Sequence, residues 1–204
     1  MSFELAGGAG DISTKLTRIA IISFNYDRCI EHYLHHSLQN YYRIQPAGAT
    51  ELLKNLKIYH TYGYLGPLPW TIENFGTVYF GGIPNTDQLI SIANGLKTFT
   101  EGTNDKHSDI IEIRSTIRSA ERVVFLGFAF AEQNLELLYG SSKPATAISS
   151  LVYATAYGLS ESDVQVIKEE LHDISGHHPH NIRIRNDLTC VNLLREYGRS
   201  LKIR

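Results

Sequence analysis

The stretch Ile21-Ile22-Ser23-Phe24-Asn25-Tyr26-Asp27-Arg28-Cys29-Ile30-Glu31-His32-Tyr33-Leu34 changes its apolar period in the middle, and that change decides the fold. Upstream of Asn25, the block from Ile19 to Phe24 is β-branched and nearly continuously apolar. A strand covered on both faces by helices has this pattern, so the block predicts a central parallel strand. Downstream of Asp27, Cys29, Ile30, Tyr33 and Leu34 recur at three- and four-residue spacing, which predicts a helix reaching about Leu38 with Asp27 as its cap.

The same alternation continues outward. Gly48 and Thr50 lie in a short helical piece, Lys57 to Tyr62 reads as a second strand, and Thr77 to Phe80 as a short edge or hairpin strand. Asn85 to Phe99 reads as a helix with Leu89, Ile92, Ala93 and Leu96 inward. Between Gly63 and Gly82, a segment with Pro67, Pro69 and Trp70 reads as a lid-like excursion. After a polar break from Glu101 to His107, Ser108 to Ala120 is an amphipathic helix, and Arg122 to Gly127 is the clearest buried strand in the chain. Helical spacing resumes from Ala131 to Leu138, and Leu151 to Thr155 is a further strand. A helix from Glu161 to His172 starts with Ser160 and Asp163 in capping-box spacing. Ile182 to Ile184 and a helix from Asp187 to Tyr197 complete the chain. Strands alternating with helices predict an α/β fold, a mainly parallel sheet flanked by helices.

The 204 residues, 43% hydrophobic and 20% charged, suit one substantial core. Residues 19–204 are expected to form that domain, after a flexible or helical segment over residues 1–18. A formal net charge of -2 gives no electrostatic reason to expect a nucleic-acid partner. The amino terminus has no basic region followed by an apolar stretch, and no apolar run approaches the roughly 20 residues that cross a bilayer, so no membrane is expected. Cys29 and Cys190 lie far apart and form neither a CxxC pair nor a zinc knuckle, so no metal is expected. A reducing, cytoplasmic location fits this cysteine usage.

In open parallel sheets, ligands bind beyond the carboxyl ends of the strands, where loops and helix amino termini converge. Three such turns stand out. In the first, Asn25 and Asp27 offer an amide and a carboxylate to a ligand; equally, they suit an Asx turn that starts the helix. In the second, Tyr59-His60-Thr61-Tyr62-Gly63, a histidine able to act as a base sits at a strand end, where a structural hydrogen-bonding role is also common. In the third, Gly127, Phe128 and Ala129 follow the buried strand, and glycine lets backbone approach a ligand closely. His32 and His36 share a helix face without the glutamate of an HExxH site, which reads as a solvated or interface face. His172, His177, His178 and His180, around Gly176 and Pro179, read as a polar connecting loop.

Taken in order, SFNYD, YHTYG and FLGFAF resemble the three motifs of the SIR2-like (sirtuin-like) family over about Ile19 to Leu138. Asn25 and Asp27 match its T-x-N-x-D motif, His60 and Gly63 fall within its H-x-H-G type motif, and Gly127 opens the third; Glu132 stands where the family often carries aspartate. The resemblance implies an incomplete Rossmann-like core that binds NAD and descends from enzymes cleaving the nicotinamide–ribose bond. It implies that Asn25 positions water or ribose, that Asp27 holds the carboxamide, and that His60 and Tyr62 stand nearest the catalytic base. Asn25, Asp27, Gly63, Gly127, Phe128 and Ala129 would line the nucleotide. Without a cysteine quartet the match is to the zinc-free branch, which includes NAD-degrading domains of antiviral (antiphage) defence.

The chain departs from the family twice. Tyr62 occupies the position of the family's catalytic histidine, and a phenol with a pKa of about 10 is a poor base at neutral pH. Only 18 residues precede Ile19, whereas a strand, phosphate turn, helix and second strand need about 30. Gly7-Gly8-Ala9-Gly10 lacks a preceding apolar strand and reads as a flexible end of an amino-terminally shortened domain. The expectation is a nucleotide-binding domain with weak NAD affinity and little or no activity alone. Two alternatives are an active NAD hydrolase completed by a partner chain or homo-oligomer, and a non-enzymatic interaction module that uses Trp70 and the aromatic excursion from Tyr62 to Phe80.

Overall fold

The computed structural model of the chain describes residues 9–71, 77–97, 108–141 and 148–203. The chain divides into two compact units, Glu4–Asn104 and Asp105–Arg204. Gly7, Gly8, Phe99 and the polar break from Glu101 to His107 lie outside the described residues.

In the first unit, α1 (Ala9–Leu16) precedes β1 (Ala20–Ser23), α2 (Cys29–Tyr42), α3 (Pro46–Leu53), β2 (Lys57–His60) and α4 (Thr86–Asn94). β1 and β2 pair in parallel, with Ala20 opposite Lys57 and Ser23 opposite His60. Ile12 and Leu16 of α1 are buried with Leu34, Leu38, Ala49 and Leu56, and Ile21, Ile30 and Ile58 pack against them. α1 is seated on the core by Ile12 and Leu16, two apolar residues four apart. Pro46 sits in the first turn of α3, where its missing N–H leaves no hydrogen bond unmade.

The excursion after β2 folds back on α2 as a strap. Arg28 Nη1 donates to the Val78 carbonyl at 2.7 Å and the Pro67 carbonyl at 3.3 Å. Trp70 stacks on His35 at 4.2 Å between ring centroids, and Phe80 stacks on His32 at 4.0 Å. Thr77 to Phe80 is not the expected strand; the Val78 carbonyl accepts from a side chain instead of a neighbouring ladder. α4 is capped by a reciprocal Asn85–Gln88 box and ends at Asn94. Leu89, Ala93 and Leu96 were expected inward and are exposed. A helical period fixes the helix and its apolar stripe but not what that stripe meets.

The second unit contains α5 (Ser108–Ser119), β3 (Arg122–Phe125), α6 (Glu132–Tyr139), β4 (Leu151–Thr155), α7 (Glu161–Ser175), a 3-10 turn (Pro179–Asn181), β5 (Ile182–Arg185) and α8 (Cys190–Glu196). Its parallel sheet has the order β3-β4-β5. β4 is central, and Val152, Tyr153 and Ala154 on it have no exposed surface, as the continuous apolar run of a doubly covered strand requires. Ser160 caps α7 by accepting from the Asp163 amide, and Gly176 ends it in the left-handed conformation. The strands thus form two short parallel sheets flanked by helices in place of one layered sheet. Among the described residues no helix is long and apolar enough to cross a membrane.

The histidines around Gly176 do not form the uniform polar loop that their sequence suggests. His178 and His180 stack on each other at 5.0 Å, but His177 is wholly buried. Ser175 donates to the Leu171 carbonyl, so its Oγ accepts from His177 Nδ1–H at 2.7 Å. His177 Nε2 then accepts from the Ser150 hydroxyl at 2.7 Å. Burial pushes the pKa of this neutral imidazole down to about 4.

Candidate functional site

The parallel register of β1 and β2 brings their carboxyl ends side by side, and five of the residues expected at a site meet there. The Thr61 amide and hydroxyl both donate to the Ser23 carbonyl, at 3.0 and 3.2 Å. The Leu65 amide donates to the Tyr26 carbonyl at 3.0 Å. These bonds extend the two-stranded sheet into its loops and hold Asn25, Asp27, His60, Tyr62 and Gly63 close together.

Asp27 follows the Asx-turn reading in its contacts. Asp27 Oδ1 accepts from the Cys29 amide at 2.9 Å, one residue beyond the Arg28 N-cap, so it starts α2 as a turn and not as the cap itself. A separate hydrogen bond from the Cys29 thiol to Asp27, and then burial, push that thiol up, which disfavours a reactive thiolate. The Asn25 amide donates to Ser23 Oγ at 3.2 Å.

His60 is the most constrained member of the group. Its Nδ1 faces the Asn25 carbonyl at 3.1 Å, and its Nε2 faces Glu31 Oε1 at 2.6 Å. A carbonyl and a carboxylate only accept, so both ring nitrogens donate and the ring is an imidazolium. Burial is the largest single influence and lowers its pKa, but the Glu31 hydrogen bond, the Asn25 carbonyl and the charges of Glu31 and Asp27 together outweigh it and leave the pKa raised. The side chains of His60 and Glu31 are only 6% and 17% exposed, so solvent screens the pair little. Tyr64 stacks on the imidazolium at 5.2 Å. Tyr62 lies edge-on to Phe24 at 5.9 Å, and burial and then Tyr26 push its phenol up, further from the range of a neutral-pH base.

Gly63 has a structural reason to be glycine. Its φ is +77°, and a Cβ there would stand 1.9 Å from the Gly95 carbonyl oxygen. Gly63 pairs with Leu96 in an antiparallel bridge, so the vacant side-chain space holds backbone.

Gly127, Phe128 and Ala129 belong to the second unit, at the carboxyl end of β3. Gly127 also has positive φ, at +62°, and its amide donates to Thr155 Oγ1 at 2.9 Å. Phe128 packs with Phe125 and Phe130 at 5.1 and 5.2 Å, and Ala129 is exposed. The Asn25, Cys29 and Gly127 amides are each engaged within the chain, which does not suit them to cradle a pyrophosphate.

Glu31 is the member that sequence reasoning missed. Its signal is an acidic residue in the first turn of the helix that follows the first strand; its role needs β2 beside β1. Among the described residues no three His, Cys, Asp or Glu side chains gather as a metal site. Comparison with protein-family models, with curated proteins and with solved structures gives no match.

Proposed function

We propose that this chain is a SIR2-like, NAD-type nucleotide-binding domain related to NAD hydrolases, weakly binding and with little or no hydrolysis alone. The observation that carries the reading is the His60 imidazolium, held between the Asn25 carbonyl and Glu31 at the joined ends of β1 and β2. It lies within the motif order that resembles the family, and it has no lone pair with which to take a proton from water. Tyr62 does not replace it, because its phenol stays protonated. The β3-β4-β5 sheet, with helices between strands in sequential order, supports an incomplete Rossmann-like core.

If NAD binds, Asn25 and Asp27 orient the ribose and carboxamide, and His60 beside them is committed to its pair with Glu31. The phosphates gain little, since the amides named above are already engaged. Nicotinamide bound to ribose leaves through an oxocarbenium-like state, and the water that then attacks needs a base, which neither His60, with both nitrogens engaged, nor the Tyr62 phenol offers. The site therefore favours binding over cleavage.

Calorimetry with NAD and a nicotinamide-release assay test the reading together. Weak saturable binding without release is expected, and Asn25→Ala should reduce the binding with little loss of stability. Tight stoichiometric binding, or NAD hydrolysis that His60→Ala abolishes without unfolding the chain, would overturn it in favour of an active hydrolase.

A second reading, a non-enzymatic interaction module, draws on Tyr79 and Ile83, which are 75% and 96% exposed, and on α4, which buries no residue. Trp70 fits that surface less well, because its ring covers His35 and its Nε1 is buried.

A further inference from the structure

We propose that His35 is a pH-sensitive latch for Trp70: it holds the indole against α2 while its ring is neutral and releases it when the ring takes a second proton. The latch stands apart from the nucleotide reading and does not depend on it.

The hydrogen bonds of His35 fix both its tautomer and its charge. The residue is 3% exposed, and its Nε2 faces the Pro46 carbonyl and Thr50 Oγ1, each at 3.2 Å. The carbonyl only accepts, and Thr50 Oγ1 already donates its hydrogen to that carbonyl at 3.1 Å, so the hydrogen between them and the ring belongs to Nε2. On the other side, Gln39 Nε2 lies 3.0 Å from the His35 carbonyl and 3.0 Å from His35 Nδ1. Its bond to a carbonyl identifies this atom as the amide nitrogen, which donates its other hydrogen to Nδ1. Nδ1 therefore accepts, and the ring is neutral with both nitrogens satisfied. Trp70 lies flat on it, 4.2 Å between ring centroids and 10° between planes. Arg28 ties the strap on either side, at Pro67 and Val78, and keeps its charge throughout the acid range. Trp70 is thus the part of the strap whose seat titrates.

A second proton on Nδ1 meets the Gln39 amide nitrogen, donor against donor. Turning that amide to present its oxygen sets the oxygen against the His35 carbonyl, so the closed arrangement offers the imidazolium no good acceptor at Nδ1. Among the described residues, His36 and His32 are the titratable groups that act on His35, and both oppose a positive charge there; the His36 ring lies 5.7 Å away. Arg28 adds its charge beside His32. α3 contributes Pro46 and Thr50 and the strap contributes the indole, all uncharged. The indole face attracts a cation, but that one contact stands against a lost hydrogen bond, a buried charge and like neighbours. Burial lowers the His35 pKa most, the Pro46 carbonyl opposes it, and His36 and His32 lower it further. A proton therefore favours the state in which water reaches the ring. The latch is fully closed above about pH 6.5 and is lost as pH falls through the lower folded value.

The chain has a single tryptophan, so indole fluorescence reports on Trp70 alone. Acrylamide quenching and far-UV ellipticity are followed together on the full chain as pH is lowered, and the nitrogen-15 shifts of the His35 ring are measured at neutral pH. The ring should be neutral with its hydrogen on Nε2. Quenching should rise, and the emission maximum move to the red, at a pH where the ellipticity is still that of the native chain, as a local opening requires. His35→Phe keeps an aromatic seat that cannot titrate, and should abolish this early rise. Gln39→Glu replaces the amide donor with an acceptor for Nδ1–H, and should move the rise to lower pH. A His35 ring with hydrogen on Nδ1 at neutral pH would overturn the proposal. So would quenching that rises only together with the loss of ellipticity, or an unchanged early rise in a folded His35→Phe chain. The first two measurements use the unmodified chain and can overturn the proposal whether or not a variant folds.

Discussion

At Gly63 and Gly127, one residue type serves two different purposes, and substitution separates them. Both have positive φ, where an L side chain costs roughly 1–2 kcal/mol. At Gly127 a Cβ would lie 3.9 Å from Cys190 Sγ, an ordinary contact, so Gly127→Ala should cost about 1 kcal/mol. At Gly63 the added carbon would overlap the Gly95 carbonyl at 1.9 Å, so the backbone bridge must break and the loss should exceed about 3 kcal/mol. Urea denaturation of the two variants checks the order; a mild Gly63→Ala would mean that the bridge to Leu96 contributes little. Glu31→Gln makes a second residue-scale test. Removing the carboxylate should lower the His60 pKa, measured by proton NMR titration, and destabilise the chain by about 3 kcal/mol, near the lower end for breaking a buried pair.

At the scale of the element, the caps and the buried faces carry unequal weight. Ser160 Oγ accepts from the Asp163 amide at 3.1 Å, so Ser160→Ala should cost about 1 kcal/mol. Leu171 on the same helix has no exposed surface, and Leu171→Ala should cost roughly 2–5 kcal/mol through lost burial and the cavity left behind. α4 differs, since Leu89 and Ile90 are 57% and 56% exposed. Leu89→Gln should change stability by no more than about 0.5 kcal/mol. Thermal melts of the three variants give the comparison, and a large loss at Leu89 would show that its stripe is covered in the native state.

For the molecule as a whole, two histidines set opposite flanks of the stability profile. The folded pKa of His177 is depressed to about 4 from an unfolded value of about 6.5. Its stabilising effect is complete above about pH 6.5 and is lost as pH falls towards 4, about 3 kcal/mol in all. His32 and His35, both lowered first by burial, act with the same sign. The His60 pKa is raised, so its contribution is complete below about pH 6.5 and fades as pH rises through the folded value. Denaturant midpoints measured across pH should decline on both sides of a maximum near neutrality. His177→Asn should flatten the acid limb, and Glu31→Gln the alkaline one; an unchanged acid limb in His177→Asn would remove His177 as its cause.

Apart from Thr77 to Phe80, the sequence by itself determined the strands and helices named for it, because their signals are local. Leu151 to Thr155 is apolar enough to be a strand in any parallel context, and Ser160 and Asp163 lie three apart wherever α7 packs. It also determined that Asn25, Asp27 and His60 stand at strand ends. Tertiary structure alone decided what those residues do there. Asp27 became an Asx turn, and His60 became a cation only because β2 pairs beside β1 and brings it within 2.6 Å of Glu31, 29 positions away in sequence. His177 is polar by type, yet it is buried because Ser150, 27 positions upstream, completes its hydrogen bonds. Periodicity reports which side of an element is apolar; the protonation and burial of a polar residue depend on partners that chain separation hides.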